Sequence, residues 1–99
     1  MIEPEQCQTM AEVRAGVDAV DRDIVGLLAV RFRFMVAAAR IKQDRGAVRD
    51  EARKAQVIDN AKAEAVRLGV PPDVVGDLWE RLVERSIAYE FDRWDEHRG

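Results

Sequence analysis

The sequence predicts an all-α protein with three helices per chain, a long N-terminal helix, and assembly as an entwined helical homodimer. Three observations predict it. Between Met10 and Ile41 apolar residues recur at steps of three and four, the period of one helix face. Gly46 and the segment 69–72 punctuate the rest, leaving two further stretches of helical period and no strand. The first helix is also too long for its setting. About 34 residues make roughly 50 Å, against a diameter of about 26 Å for a compact domain of this size. One chain then leaves part of the apolar stripe uncovered, and a second copy is the simplest cover.

The first helix opens at "TMAE", a capping box with Thr9 as N-cap and Glu12 reaching back. Its stripe runs Met10, Val13, Val17, Val20, Ile24, Leu27, Arg31, Phe34, Ala38 and Ile41. Gly16 and Gly26 each cost about 1 kcal/mol against Ala, tolerable in so regular a helix. Gly46 in "QDRGAVRD" is expected to end it. Asp50 caps the second helix, "EARKAQVIDNAKAEAVRL", whose inner face is Ala55, Ile58, Ala61, Ala65 and Leu68. Gly69 is its C-terminal stop, and Pro71 and Pro72 prevent extension. The third helix starts near these prolines. Its inner face is Val75, Leu78, Trp79, Leu82, Val83, Ser86, Ile87, Glu90 and Trp94.

At 99 residues the chain is expected to form one domain, residues 1–99. Apolar content of 47% beside 35% charged residues excludes disorder. No run of about 18 apolar residues is present, so no membrane span is expected. The acidic start "MIEPEQCQTM" lacks the regions of a signal peptide, and Cys7 stands alone, which together imply a reducing cytoplasm. A net charge of -3 argues against nucleic acid as a partner. There is no phosphate-binding glycine loop and no metal-ligand cluster, and His97 is isolated near the C-terminus. No cofactor or metal is expected.

Against this acidic background, charges on the apolar stripes stand out. Arg31 interrupts the first stripe, and Lys42 follows it by eleven residues, about three turns, so both point the same way roughly 16 Å apart. Ser86 and Glu90 form an i, i+4 pair on the third helix. Arg14 borders the first stripe about 25 Å along the axis from Arg31; it shares a pocket with Arg31 only by arriving from another chain. Arg53 adds a cation at the start of the second helix, where the helix dipole disfavours it. Arg33 and Arg40 fall off the stripe and face solvent. Each group has an ordinary explanation. Arg31 reads as snorkelling from a core edge, Glu90 as salt-bridged to an arginine, and Ser86 as a small residue for close helix approach. Jointly they describe several cations and one carboxyl converging on an apolar interior, costly without an anionic ligand. Such a pocket suits a small dianion with an apolar body.

The motifs "VRAGVDAVDRDIVGLLAVR" (Arg14, Arg31), "ARIK" (Lys42), "VRDEAR" (Asp50, Arg53) and "SIAYE" (Ser86, Glu90) resemble those of the all-helical (AroQ-type) chorismate mutases. The resemblance covers nearly the whole chain. It extends to a sister branch, the isochorismate-pyruvate lyases, which shares the fold, the entwined dimer and an approach to the first helix like "CQTM". It implies a cofactor-free pericyclic rearrangement of chorismate to prephenate, part of aromatic amino acid biosynthesis. By resemblance, Arg14 of the partner subunit binds one substrate carboxylate and Arg31 the other. Ser86 and Arg53 surround the ring and carboxylates, and Asp50 holds the ring hydroxyl. Lys42 and the side chain at position 90 hydrogen-bond the breaking ether oxygen. Positioned cations fit this chemistry, since conformational restraint and charge stabilisation lower its barrier.

Two positions depart from the commonest family pattern. Many members carry Gln where Glu90 stands, others Glu. Many mutases also place Glu, which contacts the substrate hydroxyl, where this chain has Lys54. The second departure keeps the lyase alternative, isochorismate to salicylate and pyruvate, in view; "VRDEAR" looks like the mutase loop. A mutase for an amino analogue of chorismate and a non-catalytic helical dimerisation or regulatory module are the remaining alternatives. A carboxylate accepts hydrogen bonds but does not donate them, so Glu90 must carry a proton to assist the ether oxygen. Turnover should therefore fall with rising pH, and Glu90→Gln should flatten the profile. A wild-type rate constant from about pH 5 to 8 would contradict a titrating Glu90.

Overall fold

The computed structural model describes residues 2–99. These residues form α1 (Met10–Ile41), α2 (Glu51–Leu68) and α3 (Pro72–Arg98), with short 3-10 turns at Pro4–Gln6 and Arg45–Ala47 and no strand. Two compact units divide the chain, Met1–Arg33 and Phe34–Gly99.

In the N-terminal unit the expected capping box forms, shifted by one residue. The Glu12 N–H donates to Thr9 Oγ1 at 3.2 Å. The Glu12 carboxylate accepts from the Gln8 N–H at 3.2 Å, outside the cap residue. The stripe that follows is not covered. Met10, Val13, Val17, Val20, Ile24 and Leu27 are between 38% and 71% exposed. Ile2, Pro4 and Cys7 border the early part of this helix, lining an apolar hollow with Val13, Gly16, Val17 and Val20.

In the C-terminal unit α2 and α3 form a hairpin. Gly69, in the left-handed region at φ 77°, closes α2. Its N–H donates to Val66 O at 3.3 Å, and the Val70 N–H to Ala65 O at 2.8 Å, the paired bonds of a Schellman motif. Pro72 then begins α3, where a missing N–H is tolerated. Val48, Val83 and Ile87 are the buried centre, with Val57, Ile58, Trp79, Phe91 and Trp94 packed against them. Ala39 and Ala65 are also buried. Ala55, Leu68 and Leu78, expected inside, are exposed. α3 packs against the side of α2 that carries Lys54, Val57, Ile58 and Ala65, and no described residue buries Leu68 or Leu78.

The end of α1 also differs from expectation. It stops at Ile41, and Gly46 lies in the Arg45–Ala47 turn instead of closing the helix. No glycine is needed, because α3 supplies the missing donors. The Arg98 guanidinium donates to Ala39 O at 2.9 Å and also to Lys42 O. The Trp94 indole N–H donates to Lys42 O at 3.0 Å. These are carbonyls that a helix C-terminus leaves without partners, and a cation there also opposes the helix dipole. The connecting segment is fastened to α3 as well: Arg45 pairs with Asp95 at 2.9 Å and stacks over Phe91 at 4.5 Å.

A charged lattice joins the start of α2 to α3. Arg49 pairs with Glu51 at 2.9 Å and with Glu84 at 2.8 Å, while Lys54 pairs with Glu80 at 2.7 Å and Glu84 at 2.8 Å. The hydrogen bonds from Arg49, and then from Lys54, hold the Glu84 carboxyl down to about 2 from its ordinary 4.5. Folding therefore favours ionised Glu84. Its contribution to stability is complete above about pH 4.5 and is lost as the pH falls toward about 2. Between about pH 6 and pH 3 the Tm of Glu84→Gln should fall less than that of the wild type. Equal falls would remove Glu84 from the acid response.

Candidate active site

Glu90 is the one carboxylate buried in the C-terminal unit among the described residues, 4% exposed on the inner face of α3. Helical period puts it there: Val83, Ser86, Ile87 and Glu90 follow steps of three, one and three along one buried strip. A buried carboxylate requires a partner, and Lys42 supplies it. Its Nζ lies 2.7 Å from Glu90 Oε2, with 30% of the lysine side chain still exposed. The partner is thus the lysine just beyond α1 and not an arginine. The ammonium has three N–H donors, and this bond uses one of them.

Ser86 lies one turn before Glu90 and is buried. Its hydroxyl donates to Leu82 O at 2.7 Å, the usual back-bond of a helical serine. Asp50 Oδ1 accepts from the Arg53 N–H at 3.0 Å, the expected N-cap of α2. The Arg53 guanidinium is exposed and donates to Gln56 Oε1 at 2.7 Å. Lys54 turns to α3, where Glu80 and Glu84 hold it. The position that departs from the mutase pattern is therefore occupied by a helix-to-helix bridge.

The structure brings Lys42 and Glu90 into direct contact, places Ser86 on the same strip, and joins Asp50 to Arg53 through the cap. Arg14 and Arg31 belong to the N-terminal unit, on α1, Arg14 exposed and Arg31 half-buried. Arg33 and Arg40 are exposed as expected. Sequence reasoning placed Trp94 on the inner face only as packing and did not single out Arg98. The available signal was their i+4 and i+8 spacing from Glu90 on α3. No group of His, Cys, Asp and Glu suited to a metal ion occurs among the described residues.

The family model of chorismate mutase type II matches residues 13–91. The chain belongs to the type II chorismate mutase family. All the site positions expected from the sequence fall inside the matched span of this family, whereas Trp94 and Arg98 lie beyond it. The chain is also similar to an isochorismate pyruvate lyase from Pseudomonas aeruginosa, 29% identical over 96 residues, which is 97% of this chain and 95% of that protein. A T-protein from Enterobacter agglomerans is 29% identical over 85 residues, 85% of this chain but 23% of that protein. One from Haemophilus influenzae is 23% identical over 84 residues, 84% of this chain and 22% of that protein.

Removing one member of a buried ion pair leaves the other desolvated and unpaired. Lys42→Met should therefore destabilise the protein by about 3 kcal/mol in urea unfolding, and Lys42→Met with Glu90→Leu should recover most of that loss. Equal stability of the single and double variants would show that Glu90 is not desolvated.

Proposed function

We propose that this family member is a chorismate mutase acting as an entwined homodimer with sites shared between chains. The observation that carries this reading is the Lys42–Glu90 contact, a cation held beside an apolar strip with N–H donors to spare. Chorismate rearranges to prephenate within a single molecule, so the protein's task is to hold the enolpyruvyl group over the ring and stabilise the charge that develops on the ether oxygen. In this reading Lys42 and the side chain of Glu90 bind that oxygen. Arg31 and Arg14 of the partner subunit bind the two carboxylates. Arg53 and Ser86 line the ring and carboxylates, and Asp50 takes the ring hydroxyl. The dimer is supported by the apolar stripe of α1, which one chain leaves exposed from Met10 to Leu27. Among the described residues no helix is long and apolar enough to cross a membrane; a cytoplasmic location belongs to the proposal.

A second reading is favoured by a specific observation. Lys54 is held by Glu80 and Glu84, so the residue after Arg53 offers no carboxylate to a substrate hydroxyl. The same pocket would then act on isochorismate, releasing salicylate and pyruvate, in line with the likeness to the Pseudomonas aeruginosa lyase over nearly the full length of both chains.

Purified protein incubated separately with chorismate and isochorismate decides between them. Prephenate from the first is the expected result; salicylate from the second would establish the lyase, and neither product would indicate a non-catalytic helical module. Arg31→Leu should keep the fold and lower turnover on the order of 10²-fold, the usual cost of one charge-stabilising donor. Full activity in that variant would remove Arg31 from the site.

A further inference from the structure

We propose that Trp94 and Arg98 are positioning residues that set the location of the Lys42 ammonium from behind, by gripping its main chain. The proposal rests on Lys42 serving the reaction as described above. Glu90, Trp94 and Arg98 are spaced at i, i+4 and i+8, so they line one face of α3 over consecutive turns. All three hold the same residue. Glu90 takes the ammonium of Lys42 at 2.7 Å. The Trp94 indole N–H and the Arg98 guanidinium both donate to the Lys42 carbonyl. Arg98 further ties down Ala39 O at 2.9 Å and stacks over the Trp94 ring at 4.3 Å, which orients the guanidinium.

The need for this grip follows from the helix end. Lys42 N is bonded to Ala38 O at 2.9 Å, the last helical bond of α1, and no glycine or capping side chain of the local sequence closes the turn. A lysine side chain is a flexible stem, so its ammonium is placed no better than the backbone that carries it. Without Trp94 and Arg98 the last turn is free to fray, and the ammonium moves relative to any ether oxygen it serves. Displacements near 1 Å cost on the order of 10²-fold in rate when geometry is the source of catalysis. Neither residue needs to touch substrate for this to hold.

The test uses Trp94→Phe, which keeps an aromatic ring and removes the donor, together with Arg98→Met and Arg98→Lys. Arg98→Met should lower kcat by about tenfold to a hundredfold with little change in KM, and Arg98→Lys should restore part of the loss. In a Lys42→Ala background Arg98→Met should cost less than about twofold, because the lysine it positions is gone. An undiminished loss in that background would show general destabilisation and overturn the proposal. A readout independent of turnover is the pair of Hε protons of Lys42 in protein with 13Cε-labelled lysine. Held rigidly they give two distinct signals, which should merge in Arg98→Met and in Trp94→Phe. Unchanged signals in both variants would overturn the positioning role whatever the enzyme's substrate. A wild type inactive on chorismate and isochorismate, with signals that merge as expected, would overturn the assigned reaction and leave the clamp standing.

Discussion

Much of the candidate site depends on one buried carboxylate. Glu90 sits on a strip of α3 that helical period forces inward, and a carboxylate in that position demands a cation. Lys42 meets the demand from just beyond the last turn of α1, so the ion pair ties the end of α1 to α3 within the C-terminal unit. The pair is not itself an efficient source of stability, because desolvating two charges offsets most of their attraction. Its retention makes sense if the ammonium has a second task. The donors on Lys42 that Glu90 does not use suit an anionic or ether-containing ligand and connect the packing to the proposed chemistry.

The same face of α3 explains how a small core supports a defined site. Val48, Val83 and Ile87 form a small buried hydrophobic centre, and large neighbours such as Trp79 and Trp94 are partly exposed. Polar fastenings do what apolar burial does elsewhere: Arg45 to Asp95, Arg49 and Lys54 to Glu84, and Arg98 to the end of α1. Lys54 is informative here. By the family resemblance its position would border the substrate, and in this chain Lys54 serves the contact between α2 and α3. The exposed stripe of α1 is the other half of the picture, a large apolar face that the proposed second copy would bury.

The caps of α1 and α2, Gly69 and the start of α3 were legible because each rests on interactions within a few residues of sequence: a side-chain oxygen to a nearby N–H, a glycine at positive φ, a proline at a first turn. Ser86 and Glu90 were legible as polar residues on an apolar strip, and family membership followed from spaced motifs. The partner of Glu90 was not, since any of several cations satisfied the pattern. Nor was the end of α1, where Gly46 was the local candidate. Val48 escaped detection because it lies in a connection, where periodicity carries no signal.

By itself, then, the sequence determined the three helices, their local caps, the set of residues available to a site, and the family. Those properties are written in spacings of one to four residues or in the order of motifs. Only the tertiary structure decided that Lys42 belongs to Glu90, that Lys54 belongs to Glu80 and Glu84, and that α1 ends where Trp94 and Arg98 take its carbonyls. Each of these is a contact across tens of residues. A charge or a free carbonyl specifies the chemistry of its partner but not its address, and the address is set when the helices pack.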